Sequence, residues 1–209
     1  MRMRKKKHAD ERFVLVDDYI IKTPEEASAL VAQGGGKCRL EIGCGKGDFA
    51  VGMADRSPLP FIAVEKCAEA LLLAGEKAAR AKSENLYFLV EDAARLIEYL
   101  GEGSVETLYL NFSDPWPKAR HAKRRLTARS FLEIYKKLLA PGGRIEFKTD
   151  NRPFFDWSLP EFEAAGFTLC DLTNDLHNSP WNEGNVQTEY ERNFSAKGFC
   201  INRVVAYIK

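Results

Sequence analysis

A glycine loop behind an acid is the first feature whose residue types and spacing suggest chemistry. Leu40-Glu41-Ile42-Gly43-Cys44-Gly45-Lys46-Gly47 sets three glycines at alternate positions, beginning two residues after a carboxylate. Glycines there let the backbone turn sharply and approach a ligand closely. A dinucleotide fingerprint needs G-x-G-x-x-G, which brings a helix start onto a pyrophosphate. Here the spacing is G-x-G-x-G, and Glu41 would repel a pyrophosphate but attract a cation. Glu65 follows about 20 residues on, where an acid accepts from both hydroxyls of a ribose. Glu91-Asp92-Ala93 ends a third apolar run, and Asp92 is placed to meet an adenine amino group.

Glu41, Gly43, Gly45, Gly47, Glu65 and Asp92 thus describe a pocket for a nucleoside that also carries positive charge. S-adenosylmethionine, with its α-ammonium and sulfonium, has that character. A nicotinamide cofactor is disfavoured by the glycine spacing.

A second constellation lies at Asn111-Phe112-Ser113-Asp114-Pro115-Trp116-Pro117-Lys118. Two prolines fix the backbone of this loop, which is expected to hold Asp114 above the same crevice. Trp116 is held above the crevice with it.

Behind that loop, Lys118, Arg120, Lys123, Arg124 and Arg125 put five cations in eight residues, with His121 among them. Arg2, Arg4, Lys5, Lys6 and Lys7 form another basic cluster. The chain as a whole has a formal net charge of only +1. Local basic patches in a near-neutral protein point to a directed anionic partner.

The elements that must position these residues follow from periodicity. At 209 residues with 45 % hydrophobic content, one α/β domain is expected. Residues 1–36 read as a basic arm with a short helix near Pro24 to Gln33, and residues 37–209 as the main domain. Cys38 to Ile42, Phe61 to Val64, Tyr87 to Val90, Thr107 to Leu110 and Arg144 to Thr149 read as strands alternating with helices. That alternation means βαβ units and a mostly parallel sheet, with ligands at the carboxyl ends of its strands. Phe131, Ile134, Tyr135 and Leu138 share a helical face, with Thr127 as the expected N-cap. Thr168 to Leu172 and Phe199 to Tyr207 are expected to pair as an antiparallel hairpin, and Asn174 to Lys197 reads as an irregular polar insert. Trp157 is expected in the core, while Trp181 is open between surface and base stacking.

Five widely spaced cysteines without C-x-x-C predict neither a disulfide framework nor a metal site. With no secretory leader or membrane-spanning run, the expected home is the cytoplasm.

Residues Asn111 to Thr127, together with Glu41 to Gly47, resemble the bacterial tRNA (guanine-N(7)-)-methyltransferase family. The similarity runs from about Cys38 onward, through Phe147-Lys148-Thr149-Asp150-Asn151 and Thr188-Glu189-Tyr190-Glu191. It implies a class I, Rossmann-like S-adenosylmethionine-dependent methyltransferase fold with a seven-stranded sheet. It implies methylation at N7 of a guanosine in the tRNA variable loop. That nitrogen carries a free lone pair, so no general base is needed and catalysis rests largely on orientation. Asp114 is the expected catalytic residue, accepting from the guanine N1–H and N2 amino group and stabilising positive charge that develops on the ring. Cofactor contacts are then expected at Glu41, Glu65, Asp92 and Asp114, and substrate contacts at Lys118, Asp150, Thr188 and Glu191. Arg120, His121, Lys123, Arg124 and Arg125 are the expected RNA-contacting run. Monomer and homodimer are both compatible with the family.

Overall fold

The computed structural model describes residues 7–208. Arg2 to Lys6 of the basic N-terminal cluster lie outside the described residues.

The chain begins with α1 (Ala9–Val14), a two-residue strand β1 (Ile20–Ile21) and α2 (Pro24–Gln33). Thr23 caps α2, accepting from Glu26 N, and Pro24 sits at the first helical position where its missing N–H is harmless. The alternating part follows: β2 (Cys38–Ile42), α3 (Asp48–Ala54), β3 (Phe61–Val64), α4 (Ala68–Ala81), β4 (Leu86–Leu89), α5 (Leu96–Leu100), β5 (Val105–Asn111), α6 (Arg129–Leu138) and β6 (Leu139–Thr149). The last elements are α7 (Arg152–Ala164), β7 (Phe167–Thr173), α8 (Glu189–Ser195) and β8 (Asn202–Ile208).

All eight strands join one sheet in the order β1-β4-β3-β2-β5-β6-β8-β7. β1 to β6 pair in parallel, and β8 runs antiparallel between β6 and β7. The sequence predicts seven of these strands. The eighth, β1, has only two residues and no alternation to announce it.

Neighbouring residues on each strand face opposite sides of the sheet. Ile62 and Val64 join a large apolar cluster with α2, α5, α6 and α7, whereas Phe61 and Ala63 join a smaller one with α3 and α4. Both faces are therefore covered by helices, which is why the central strands read as continuous apolar runs. On α6, Leu132, Tyr135 and Leu138 are buried, and Phe131 and Ile134 pack at the margin. Thr127 does not cap α6. Ala128 holds the N-cap position without a side-chain bond, and the buried Thr127 hydroxyl pairs with Ser158 Oγ at 2.7 Å.

The parallel register aligns the strand ends. Ile42 lies level with Val64 and with Leu110, and Val64 lies level with Leu89. Gly43, Glu65, Asp92 and Phe112 consequently emerge along one edge of the sheet, with Asp150 after β6 beside them. No helix among the described residues is long and apolar enough to cross a membrane.

Candidate functional site

The loop after β2 has φ of +81° at Gly43, +55° at Gly45 and +78° at Gly47. At Gly47 the requirement is doubled. A Cβ there would lie 2.7 Å from Ala74 Cβ on α4, so space as well as backbone sign demands glycine. Gly43 N and Cys44 N both donate to Val64 O, at 2.8 and 3.0 Å, which ties the loop to β3. Glu65 braces it further. One carboxylate oxygen accepts from Gly45 N at 3.1 Å and the other from Cys67 N at 2.9 Å.

Glu41 is 1 % exposed and lies beneath this loop. Asn111 Nδ2 donates to its Oε1 at 3.0 Å. Its Oε2 has no partner among the described residues, and neither has Asn111 Oδ1 or Ser113 Oγ. Burial pushes the Glu41 carboxyl up to about 7, against the Asn111 hydrogen bond and the charge of Lys148. Buried polar atoms without partners are uncommon and need a reason. The three residues line a cleft.

That cleft has two lobes meeting at Gly43 and Phe112. One, of about 300 Å³, is bordered by Glu41, the glycine loop, Asn111, and Thr188, Tyr190 and Asn193. The other, of about 800 Å³, is bordered by Glu65, Asp92, Ser113, Asp114, Trp116 and Arg124. Asp92 accepts from Ala94 N at 3.0 Å and from Lys66 Nζ at 2.7 Å. Those two donors hold its carboxyl below the usual value. Glu41, Glu65, Asp92 and Asp114 are thus brought to one cleft. Among the described residues no group of three or more His, Cys, Asp or Glu could hold a metal ion.

Asp114 is exposed and has no hydrogen-bond partner among the described residues. Phe112 and Trp116 on either side of it have φ of +53° and +40°. Non-glycine residues seldom adopt that region, and such strain clusters at functional sites. Arg120, Lys123 and Arg124 are exposed beyond the loop, and His121 is half-buried. The Arg124 guanidinium lies 4.9 Å over the Trp116 ring, and His121 meets that ring edge-on at 5.8 Å. Arg125 departs from this row. It is 9 % exposed and turned inward. Lys118 is exposed at the start of a 3-10 turn over Ala119–Arg124.

The polar insert hides an element that a closer reading finds. Thr188-x-x-Glu191 has the capping-box spacing. Thr188 Oγ1 accepts from Glu191 N at 2.8 Å and starts α8. The Glu191 side chain does not close the box. It is fully buried and pairs with Lys148 Nζ at 2.8 Å, with Asn185 Nδ2 at 2.8 Å and with His177 Nε2 at 2.9 Å. Lys148 fills its other two donor positions with Asn185 Oδ1 at 3.1 Å and Val186 O at 3.0 Å. Lys148, which sequence reasoning passes over as a strand residue, is the centre of this network. Asp150 accepts from the Tyr190 hydroxyl at 3.2 Å, and the Tyr190 ring leans on Phe112 at 5.2 Å. Trp157 packs at the margin of the core, and Trp181 is 37 % exposed.

A family model described as "Putative methyltransferase" matches residues 36–204. The chain is 44 % identical to a tRNA (guanine-N(7)-)-methyltransferase of Streptococcus thermophilus strain CNRZ 1066, over 100 % of both chains. It is 45 % identical to a protein of that name from Geobacillus sp. strain WCH70, over 97 % of this chain and 94 % of the relative. Among solved structures, the 16S rRNA methyltransferase KamB superposes with a TM-score of 0.67 at 18 % identity, over 90 % of this chain and 95 % of that one. That likeness establishes the fold as class I methyltransferase. With a cleft of this form and relatives of this identity over their full length, the chain belongs to the tRNA (guanine-N(7)-)-methyltransferase family.

Proposed function

We propose that this protein transfers the methyl group of S-adenosylmethionine to N7 of a guanosine in the variable loop of tRNA. One observation carries the proposal. A single cleft joins unpartnered buried polar atoms on Glu41 and Asn111 to an unpartnered Asp114 on a fixed loop.

The residues present fit the cofactor. Glu41 Oε2 and Asn111 Oδ1 would accept from its α-ammonium, and the glycine loop would lie against its length. Glu65 would take the ribose hydroxyls, and Asp92 the adenine amino group, with Asp114 bordering the same lobe. Bound there, it supplies a methyl group activated by a positively charged sulfur.

The protein's own part is orientation. Asp114 accepts from the N1–H and N2 amino group of the guanine, which turns N7, on another edge of the purine, into the cleft. The N7 lone pair is free, so no side chain removes a proton. The carboxylate then stabilises positive charge as it develops on the ring. Lys118, Arg120, His121, Lys123 and Arg124 face the backbone phosphates, which position RNA without reading its bases. Asp150 and Thr188 steady the far side of the guanosine, and Glu191 supports them through Lys148 and α8. Such a substrate is met in the cytoplasm.

The test is incubation of unmodified tRNA with methyl-labelled S-adenosylmethionine, followed by mapping of the labelled base. Label on N7 of a variable-loop guanosine is expected, and tRNA left unlabelled overturns the reading. Asp114→Asn should lower turnover by about 10³-fold. Near-wild-type turnover in that variant would remove Asp114 from its role.

A further inference from the structure

The loop carrying Asp114 has few ties of its own. Phe112 N donates to Lys148 O at 2.9 Å, after which residues 113–117 make no backbone–backbone hydrogen bond among the described residues. Pro115 and Pro117 have no N–H to offer. The left-handed backbone at Trp116 must therefore be held by side chains.

Among the described residues, one side chain hydrogen-bonds to the backbone of this loop. Arg125 Nε donates to Pro115 O at 2.8 Å, and its Nη2 donates to Trp116 O at 3.1 Å. The guanidinium lies 4.2 Å from the Trp157 ring centre and 5.7 Å from that of Phe154. Arg125 forms no ion pair among the described residues, although it is buried. Its charge is met by two carbonyl oxygens and two ring faces.

We infer that Arg125 is a positioning residue for the reaction: it locks the Asp114 loop through the Pro115 and Trp116 carbonyls and makes no contact with RNA phosphate. This rests on the reading of Asp114 as the guanosine contact. The chemistry of the side chain is specific. A planar guanidinium offers parallel N–H donors in a rigid fork and stacks on aromatic faces. Trp157 holds that plane so that the fork meets two successive carbonyls. An ammonium is a point donor with no plane to hold. Lysine replaces arginine well at a phosphate and poorly here.

Two readouts separate the roles in Arg125→Lys, with Arg120→Ala as the comparison. Amide hydrogen exchange at Phe112 and His121, the hydrogen-bonded amides on either side of the loop, reports the lock directly and needs no substrate. It should quicken about tenfold or more in Arg125→Lys while the sheet amides keep their rates. In the same variant kcat should fall about 100-fold, because a small misplacement of a reacting group is that damaging. Its tRNA affinity and salt dependence should match the wild type. Arg120→Ala should do the reverse, weakening tRNA binding and lowering the salt slope by about one, with loop exchange unchanged. Trp157→Leu, which keeps the fork but removes its backing, should give a smaller quickening of the same amides. The inference is overturned if Arg125→Lys keeps wild-type exchange and turnover, or if it loses tRNA affinity and salt slope while retaining kcat. Failure of the Asp114 reading looks different: Asp114→Asn retains turnover while Arg125→Lys still loosens the loop.

Discussion

Glu41 and Glu191 are two carboxylates buried to the same degree, at 1 % and 0 % exposure, and both feel Lys148. They titrate in opposite directions. Burial pushes Glu41 up to about 7, because Asn111 is its one hydrogen-bonding partner among the described residues. Burial acts on Glu191 as well, but the Lys148 ammonium, Asn185 and His177 outweigh it and hold the carboxyl below its usual value. Burial sets the cost of the charge, and the number of partners decides whether that cost is met. The floor of the cleft is left incomplete, as a ligand seat must be. The network under α8 is complete, as a structural joint must be.

The largest effect should come from breaking the completed joint. Glu191→Ala strands the Lys148 ammonium in the interior, at a loss of about 3–5 kcal/mol. Thermal denaturation should register this as a fall of roughly 10 °C. A fall below about 2 °C would erase the distinction between the two acids.

Glu41→Gln should act oppositely, stabilising the ligand-free protein while weakening S-adenosylmethionine binding by about 30-fold, the loss of one charge-assisted contact. The pH dependence has a definite sign. Glu41 titrates at about 7 when folded against an ordinary 4.5, so the folded state holds this proton more tightly. Its stabilising contribution is full below about pH 4.5 and declines as pH rises to about 7. The melting advantage of Glu41→Gln should open across that interval and stay level above it. Binding of the cationic cofactor to the wild type should strengthen over the same interval, and calorimetric titration reads this. Affinity independent of pH would place the ammonium elsewhere.

The smallest effect belongs to the surface latch over the smaller lobe. Lys46 Nζ donates to both oxygens of Glu189, at 3.0 and 3.1 Å, and Asp48 pairs with Arg192 at 2.9 Å and with Lys77. Lys46→Ala should cost about 0.2–1 kcal/mol, fading as salt is raised. Faster hydrogen exchange confined to α8 at low salt is the expected sign.

Much of this was legible in the chain. The glycine spacing, the acids after β3 and β4, and the apolar runs all report features that depend on near neighbours in sequence. Glu41, Glu65, Asp92 and Asp114 were readable because strand ends converge on one edge of a parallel sheet. Three things were not readable. β1 is too short for a period. Thr127 has the right residue type for an N-cap, but tertiary packing gives its hydroxyl to Ser158. Arg125 looks like its basic neighbours, and only the folded position of Trp157 turns it inward. The Thr188-x-x-Glu191 signature was available and marks α8, yet the fate of its acid depends on Lys148, 43 residues away.

The two-residue strand β1 has an effect larger than its length. Ile20 and Ile21 run alongside Phe88 and Leu89 and cover what would otherwise be the open margin of the sheet at β4. Exposed margins of this kind recruit strands from other molecules. The family match begins at residue 36 and so omits this selvedge. A fragment cut to the matched stretch would keep every residue of the cleft and fray at its border.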